Sequence, residues 1–349
     1  MDKMEHQVEW YKKSGTEGDV VCSTRIRLAR NLTDYPFPAK NTAAQKRQIA
    51  EKVKEAVLSG SSLMKNTFRV IPLESMKQED LVALVERHVV SPEFISDIEG
   101  REIILSQDES ISIMVNEEDH VRIQVIREGL ALKEAFETAD RIDSLLSERL
   151  NFAFDEQLGY LTHCPTNLGT GMRASLMLHL PALTEYKSMQ RLAGNLSKLG
   201  LTIRGSYGEG TQVSGNMYQL SNRITLGLNE IEAIENLQSI AHQIIEEERK
   251  LRNTILENIV MQDKISRSAG ILKNAKLINH QECLNCLSYV RMGVAAGILK
   301  GITLSDINRL WVEVQPATLI ADAKQELSPQ QRDARRAKIV RSICENLKE

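Results

Sequence analysis

The sequence predicts an α+β fold in which an antiparallel sheet with helices is followed by an all-helical region. Three β-like runs follow one another between polar turns, at 103–105, 111–115 and 121–126. After Asn229 the chain shows almost continuous helical periodicity with few alternating β-branched residues. A length of 349 residues favours two domains. We therefore predict one domain over residues 1–254 and a second, all-α domain over residues 255–349.

Helices and further strands are expected on either side of the three central runs. Apolar residues at three- and four-residue spacing, with capping and breaking residues, predict the helices 42–58, 78–90, 131–152 and 328–347. Short β-prone segments predict strands at 19–23, 217–220 and 224–226. The loop 164–171 is rich in Gly, Thr and Pro and is expected to open a helix at Met172.

Composition and charge exclude several classes of protein. Hydrophobic residues make up 42% and charged residues 26%, as in an ordinary globular protein. No apolar stretch approaches the roughly 18 residues of a membrane span, and the first residues lack a secretory apolar segment, so we expect a cytoplasmic protein with no membrane contact. A net charge of −3 offers no overall field for nucleic acid, so any phosphate site must be local.

Five arginines lie in or beside loops and strand ends, namely Arg25, Arg27, Arg122, Arg173 and Arg204. A guanidinium is a permanently charged fork of donors, so several of them converging on one site can neutralise a nucleoside triphosphate. Alternation along a strand would put Arg25 and Arg27 on the same face. The alternative is that each is a surface charge or half of an ion pair. Neither a Walker lysine loop nor a G-x-G-x-x-G turn is present, which disfavours P-loop and Rossmann proteins.

Acidic and cysteine residues form the other candidate sites. The run 115–122 places three acids beside a histidine and an arginine, either as a solvated turn or as carboxylates that bind a cation or guanidinium. Glu209 lies in a second turn.

Cys164 precedes a proline at the expected helix start, where backbone N–H groups would lower a thiol pKa; the alternative is an inert thiol. The lone pair Cys283 and Cys286 is expected in a helix core, because no second pair at zinc spacing is present.

Four strings resemble, in the same order, those of the guanidino (phosphagen) kinases. They are STRIR at 23–27, VNEEDHVR at 115–122, CPTNLGTGMRAS at 164–175 and RGSYGE at 204–209. The resemblance covers roughly residues 20–250. It implies a twisted antiparallel sheet flanked by helices, and transfer of a phosphoryl group from ATP, with Mg²⁺ bound through the nucleotide rather than at a metal site of the protein.

The resemblance also assigns site residues. Glu118 and Glu209 would face the guanidinium of the acceptor, with Cys164 beside it. The nucleotide would be bound by Ser23, Thr24, Arg25, Ile26, Arg27, His88, Arg122, Arg173, Ala174, Ser175, Leu176, Met177, Arg204, Gly205, Ser206, Tyr207, Gly208 and Glu209.

Two departures separate the chain from the small-molecule members of that family. Those members carry a long segment before the STRIR-like strand, whereas only 22 residues precede it here, so a lid over a small substrate is expected to be absent. The small-molecule enzymes have a turn that resembles R-G-T-R-G-E-H. At 204–210 this chain has Tyr207 in place of the second arginine and Gly210 in place of the histidine, which puts one phosphate-contacting arginine of the family in doubt. Together with the helical C-terminal region, these departures resemble the bacterial protein-arginine kinases, a branch of the family.

The C-terminal helix contains a further string of that branch, the phosphoarginine-binding pattern R-D-x-x-R-A. It is matched by Arg332, Asp333, Ala334, Arg335, Arg336 and Ala337. The resemblance implies an allosteric site with Arg332, Asp333 and Arg336 as contacts. Without the resemblance, the same residues could be the solvated face of a basic helix.

The sequence therefore predicts a kinase that phosphorylates arginine residues of proteins. A guanidinium has a pKa above about 12, so the acceptor needs carboxylates that orient it and remove a proton. The alternatives are a kinase of free guanidino compounds and a non-catalytic phosphoarginine reader. By resemblance, the expected partners are protein substrates with exposed arginines, a zinc-containing activator, the Clp protease machinery, a heat-shock repressor as one stress-response target, and a second copy of the chain.

Overall fold

The computed structural model describes residues 10–59, 67–205 and 213–349. Within these residues, eight strands form one antiparallel sheet in the order β2-β3-β4-β5-β1-β8-β10-β9. Two short strands, β6 and β7, pair separately. The strands are β1 Val21–Arg30, β2 Phe68–Pro72, β3 Glu102–Ser106, β4 Ile111–Val115, β5 Val121–Glu128, β6 Phe154–Asp155, β7 Gly159–Tyr160, β8 Met172–His179, β9 Leu201–Gly205 and β10 Met217–Asn222.

Helices lie beside this sheet and make up the C-terminal region. They are α1 Ala43–Leu58, α2 Gln78–Glu86, α3 Leu132–Ser147, α4 Pro181–Glu185, α5 Met189–Lys198, α6 Glu230–Leu256, α7 Ile259–Asn274, α8 His280–Ala295, α9 Leu304–Glu313, α10 Pro316–Ala323 and α11 Pro329–Cys344. The predicted α+β class, with an antiparallel sheet flanked by helices and a helical C-terminal part, is confirmed. No helix in the described ranges is long and apolar enough to cross a membrane.

The main core is built on one face of the sheet, while Ile103, Leu105 and Met114 of β3 and β4 are buried in a smaller apolar cluster on the opposite face. Ile26 and Leu28 of β1 and Leu176 of β8 point into the main core, where they meet Ala135 and Ala139 of α3. Because successive side chains of a strand point to opposite sides, the alternate residues of the same strands form a second, polar face. The functional cleft described below lies on that polar face.

The C-terminal helices have a core of their own that is joined to the sheet. Leu284 and Leu287 of α8, Trp311 of α9 and Val340 of α11 are buried together, and Met217 at the start of β10 belongs to the same cluster. A second join is the fully buried Arg291 of α8, whose guanidinium donates to the carbonyl oxygen of Gly18 at 2.6 Å. The helical region is therefore packed against the sheet rather than tethered to it.

Cys283 and Cys286 lie on α8 with exposures of 0% and 6%, so the prediction of a helix core for this pair is confirmed. The predicted domain boundary at 254/255 falls inside the last turn of α6, and the division into two domains stays a prediction.

Most predicted elements are found, with shifted ends. The helices expected over 42–58 and 328–347 are confirmed as α1 and α11. The helix expected over 78–90 ends at Glu86, because His88 adopts a left-handed φ of 61° that no α-helix can contain. The helix expected over 131–152 ends at Ser147.

Two predictions of local structure are wrong. Met172 begins strand β8 and not a helix, because Met172, Ala174, Leu176 and Leu178 alternate into the core at the period of a strand. The segment 224–226 is not a strand; β10 ends at Asn222, the side chains of Ile224 and Leu226 are about half exposed, and Thr225 is buried and hydrogen-bonded to the loop 164–171 instead of to a strand.

The buried pair Arg30–Asp143 offers a test of the fold. The Arg30 guanidinium binds Asp143 at 2.8 to 3.1 Å, lies 3.4 Å over the Tyr160 ring, and donates to the carbonyl oxygens of Ala29 and Thr170. The substitution Asp143→Ala leaves the buried Arg30 guanidinium without its counter-charge. We therefore expect the free energy of unfolding, measured in urea, to fall by about 3 to 5 kcal/mol.

Glu137→Ala is the matched control, because it removes an exposed carboxylate on the same helix whose pair with Arg141 is solvated. It should change the unfolding midpoint little. Equal midpoints for the two variants would contradict a stabilising role for the buried pair.

Candidate active site

The polar face of the sheet forms the floor of a cleft of about 790 Å³. Its walls are the segment 85–93, which begins in the last turn of α2, the turn at 117–118 and the loop 164–171. The residues that line it are Arg25, Arg27, Ala29, Val85, Glu86, His88, Val90, Ser91, Pro92, Glu93, Glu117, Glu118, Arg122, Gln124, Cys164, Thr166, Asn167, Gly171, Arg173, Thr202, Arg204, Gly205, Gln219 and Ser221.

The five predicted arginines all line this cleft. Arg25 and Arg27 come from β1, Arg122 from β5, Arg173 from β8 and Arg204 from β9. Strands far apart in sequence thus supply one cationic surface, and the prediction that Arg25 and Arg27 share a face is confirmed.

Strand register explains this convergence. Arg27 lies opposite Gln124 of β5 on one side and Arg173 of β8 on the other. Arg122 lies opposite Ala29, two residues further along β1 and therefore on the same face. A shift of one residue in either pairing would turn an arginine into the apolar core.

The guanidinium groups differ in the partners they have. Arg122 pairs with Glu117 and, at 3.1 Å, with Glu118. The side chains of Arg27, Arg173 and Arg204 form no ion pair and no hydrogen bond with any other described residue; the buried Nε of Arg27 is one of these atoms without a partner. The alternative that each arginine is half of an ion pair is wrong for these three within the described residues.

Like charge is concentrated around Arg27. Burial, together with the neighbouring guanidinium groups of Arg25, Arg122 and Arg173, lowers the pKa of Arg27. Burial and the proximity of Arg204 and Arg122 also lower the pKa of Arg173. Because a guanidinium stays protonated in proteins, the repulsion persists until an anion enters the cleft.

The acidic turn exposes one carboxylate, that of Glu118, and buries the other two. Glu117 is 5% exposed and is held by Ser91 and Arg122. Asp119 is fully buried and accepts hydrogen bonds from the Asn31 amide at 2.6 Å and the backbone N–H of His163 at 2.8 Å. The alternative of a solvated acidic turn is therefore wrong for Glu117 and Asp119.

The side chain of Glu118 is 39% exposed and reaches Arg122 at the edge of the cleft. Next in the turn, His120 is buried and accepts a hydrogen bond from the backbone N–H of Leu32 at Nδ1, 3.0 Å away. The buried residues thus anchor the turn, and Glu118 is the carboxylate that it presents.

Cys164 lines the same cleft, but not at the start of a helix. Its Sγ lies 3.0 Å from Oγ1 of Thr166, and the residues that follow form a single 3₁₀ turn before the loop enters β8. The expectation that Cys164 lies at the start of a helix is therefore wrong. The loop is fixed from outside by Thr225, whose hydroxyl donates to the carbonyl oxygens of Thr166 at 3.0 Å and Leu168 at 2.7 Å.

His88 lies in the wall of the cleft, as the resemblance implied. Burial, with a smaller effect of Arg25, lowers the pKa of His88 to about 3, so the imidazole is neutral at physiological pH. Its backbone carbonyl accepts a hydrogen bond from the Gln124 amide at 2.9 Å. The ring is thus a neutral polar group beside a cationic floor.

Some residues assigned to nucleotide binding face away from the cleft. The side chains of Ile26, Ala174 and Leu176 lie in the apolar core, and the Thr24 hydroxyl donates to the Gly129 carbonyl oxygen at 2.6 Å. Ser23, Ser175 and Met177 border a small cavity next to the cleft that also contacts Trp10. Ser206, Tyr207, Gly208 and Glu209 lie outside the described residues, whereas Gly205 lines the cleft.

Sequence reasoning missed four polar residues of the floor: Gln124, Thr202, Gln219 and Ser221. Gln219 accepts a hydrogen bond from Arg25 at 2.9 Å. Polar residues that alternate with buried apolar ones along β5 and β10 are the signal that could have identified Gln124 and Ser221.

The C-terminal hexapeptide 332–337 lies on α11. Arg336 is 1% exposed; it donates to the carbonyl oxygens of Val314 at 2.9 Å and Ile278 at 3.0 Å, and binds Asp333 at 2.6 Å. The alternative of a solvated helix face is therefore wrong for Arg336. The side chain of Arg332 is half-buried and makes no hydrogen bond or ion pair with another described residue.

Comparisons with known proteins agree with this geometry. Residues 48–251 match the model of the ATP:guanido phosphotransferase C-terminal catalytic domain, and residues 258–349 match that of the protein-arginine kinase McsB C-terminal domain. The protein-arginine kinase of Brevibacillus brevis is 43% identical over 334 residues, 95% of this chain and 94% of the relative. That of Clostridium acetobutylicum is 44% identical over 341 residues, 97% and 99% of the two chains.

Two solved kinase structures have a similar fold. A lombricine kinase matches with a TM-score of 0.60 and 26% identity over 69% of each chain. A duplicated taurocyamine kinase from Schistosoma mansoni matches with a TM-score of 0.60 and 27% identity, covering 78% of this chain and 39% of the other. The chain belongs to the ATP:guanido phosphotransferase family, in its branch of protein-arginine kinases.

Proposed function

We propose that the chain transfers the γ-phosphoryl group of ATP to a guanidinium nitrogen of arginine residues in proteins. The observation that carries the proposal is the cationic cleft, in which the side chains of Arg27, Arg173 and Arg204 form no ion pair and no hydrogen bond with another described residue, while Glu118 lies at its edge. A triphosphate supplies the missing negative charge, and the carboxylate fits a guanidinium acceptor.

The triphosphate lies along the floor of the cleft, where Arg25, Arg27, Arg122, Arg173 and Arg204 bind its oxygens. Phosphoryl transfer spreads charge over the equatorial oxygens of the γ-phosphorus, so arginines already fixed by strand register stabilise the transition state without moving. The neutral imidazole of His88 contacts the nucleotide at the wall, where the Gln124 amide donates to the backbone carbonyl oxygens of His88 and Val89. Ser23, Ser175, Met177 and the turn 205–209 complete the proposed contacts.

In the transfer step the acceptor nitrogen bonds to the γ-phosphorus as the bond from that phosphorus to the bridging oxygen breaks. ADP leaves with the electron pair of the broken bond, and the nitrogen loses one proton. Glu118 accepts this proton, because a guanidinium has no free electron pair for phosphorus until it is deprotonated. Glu209 is the proposed second carboxylate, and the Cys164 thiol lies beside the acceptor.

Mg²⁺ is proposed to arrive on the nucleotide. Among the described residues, no group of three or more His, Cys, Asp or Glu side chains could hold a metal ion. When bound, the ion neutralises phosphate charge. The chain's own contribution is therefore the arginine floor and the carboxylate at its edge.

Two features favour arginine in proteins over a free guanidino compound. The relatives at 43% and 44% identity are named protein-arginine kinases, and residues 258–349 match the C-terminal domain of that branch. The competing candidate is a kinase of free guanidino compounds, which the names of the similar solved structures favour. A non-catalytic phosphoarginine reader would need neither Glu118 nor the arginine floor.

Family membership also supports a proposal for the regulation and partners of the chain. We infer that residues 255–349 form a domain whose hexapeptide binds phosphoarginine as an allosteric effector, and that two copies associate. The proposed setting is a stress response in the cytoplasm. A zinc-containing protein would activate the kinase, a heat-shock repressor would be one target, and the Clp machinery would degrade phosphorylated proteins.

The test of the reaction is transfer of labelled γ-phosphate from MgATP to an unfolded arginine-containing protein and, in parallel, to free arginine. We expect label on the protein that acid removes and base spares, as for a phosphoramidate. Glu118→Gln should lower kcat by about 10²-fold to 10⁴-fold, because it removes the proton acceptor. The exposed Glu137→Gln is the matched control. Label on free arginine alone would establish the competing candidate, and acid-stable label would exclude arginine as the acceptor.

Arg27 tests the nucleotide site. Arg27→Ala should weaken MgATP binding by about tenfold to a hundredfold, the cost of losing a hydrogen bond between charged groups. Arg27→Lys should lie in between, because it keeps the charge but loses the fork. Calorimetric titration measures both, with the exposed Arg141→Ala as control. Wild-type affinity in Arg27→Ala would place the triphosphate elsewhere.

Arg332 tests the proposed effector site. Arg332→Ala should abolish binding of free phosphoarginine in a calorimetric titration. Without added phosphoarginine, kcat should stay within about twofold of wild type, because the Arg332 guanidinium forms no hydrogen bond or ion pair with another described residue. Lys338→Ala, exposed on the same helix, is the control. Unchanged phosphoarginine affinity in Arg332→Ala would refute the assignment.

A further inference from the structure

The cleft wall that carries His88 is supported from behind by the C-terminal helices. This wall begins at the end of α2 with Val85 and Glu86, and it continues through His88 to Pro92 and Glu93. His88 has a left-handed φ of 61°, a conformation that is costly for a residue with a side chain. Such a segment keeps its shape only where neighbouring structure holds it.

Glu86 makes the main contact with the helical region. Its two carboxylate oxygens accept hydrogen bonds from the backbone N–H groups of Ala317 at 2.9 Å and Thr318 at 2.6 Å, and from the Thr318 hydroxyl at 2.9 Å. These are the first turn of α10. The residue at the N-cap of α10, Gln315, makes no side-chain capping hydrogen bond. Glu86 therefore caps a helix more than two hundred residues away in the sequence.

A second contact supports the imidazole itself. The Trp10 ring lies 6.1 Å from the His88 ring, centroid to centroid. Trp10 is buried in a small apolar cluster with Tyr11, Ile126 and Val312, the last of these from α9. Two successive helices of the C-terminal region thus reach the same wall, one through Glu86 and one through Trp10.

The sheet holds the other side of the wall. Arg87 donates to the Glu109 carboxylate at 2.9 Å, and Gln124 donates to the carbonyl oxygen of His88. These bonds fix the backbone on either side of the left-handed residue. The bonds to Glu86 fix the end of the helix from which the wall departs.

We propose that Glu86 is a positioning residue for the nucleotide, through which α10 holds the wall that carries His88. The C-terminal helical region then completes the nucleotide site without contacting the triphosphate. The inference rests on the proposed function, since it takes the cleft to be the MgATP site. Both oxygens of Glu86 are occupied by α10, so the carboxylate acts through the wall.

Both ends of α10 lie against the hexapeptide 332–337. Asp322, in the last turn of α10, pairs with Arg335 at 2.6 Å, and Val314, just before α10, accepts the hydrogen bond of Arg336. One helix of eight residues therefore joins the hexapeptide to the cleft wall.

The experiment measures MgATP affinity of the full-length chain by calorimetry. Glu86→Gln keeps the shape of the side chain but replaces one acceptor oxygen by a donor, so one N–H of α10 loses its partner. We expect the Kd for MgATP to rise about fivefold to tenfold, the size of one charge-assisted hydrogen bond. The KM for the acceptor protein should stay within twofold. The control is Glu79→Gln on the same helix α2, because the Glu79 side chain has no hydrogen-bonded partner among the described residues.

Thr318→Val approaches the same contact from the helical region. It removes one of three hydrogen bonds, so we expect a smaller rise in the Kd for MgATP, and the double variant should bind no more weakly than Glu86→Gln alone, because the two changes break one contact. If the thermal melt shows that Glu86→Gln does not fold, the Kd of Thr318→Val for MgATP tests the positioning role instead.

The outcomes separate the two hypotheses. If the wild-type chain does not bind MgATP, the proposed function fails. If wild type binds and both variants bind within twofold of it, the proposed function stands and the positioning role is overturned. Additive losses in the double variant, or an equal rise of the acceptor KM, would likewise overturn it.

Discussion

The structure depends on the alternation of side chains along β1, the strand at the centre of the sheet. Ile26 and Leu28 point into the apolar core, while Arg25 and Arg27 point to the opposite face. The pairing partners β5 and β8 repeat the alternation in register. One strand therefore builds the core and the cleft at once. Because the side-chain period of a strand is two, no change of register could keep one and lose the other.

The cleft gathers like charge at a cost to the folded state. The guanidinium groups of Arg25, Arg122 and Arg173 crowd around Arg27, and neither Arg27 nor Arg173 forms an ion pair or hydrogen bond with another described residue. Burial and repulsion between them lower the pKa of Arg27. The apolar face beneath, with most of its side chains less than 2% exposed, supplies the stability that offsets this repulsion. A polyanion relieves the repulsion, so the surface that weakens the fold is the one suited to a triphosphate.

The helical region and the sheet are parts of one arrangement. Arg291 of α8 binds the carbonyl oxygen of Gly18 just before β1, Met217 of β10 lies in the helical core, and Glu86 caps α10. These contacts join segments from different parts of the sheet region to helices that follow it in the sequence. Residue pairs of this kind couple the two parts energetically, because each buried polar group would lose its partner if the parts separated.

The sequence by itself determined the α+β class, the central strands, most helices and the arginines of the cleft, because periodicity and residue chemistry are local properties. It predicted a helix where β8 begins and placed the end of α2 too late, and it missed Gln124 and Gln219, since side-chain alternation identifies a face only once the neighbouring strands are known. The burial of Glu117, Asp119 and Arg336 was decided by tertiary structure alone. Their partners come from distant segments, and only the folded chain brings a carboxylate or guanidinium to the groups that stabilise it.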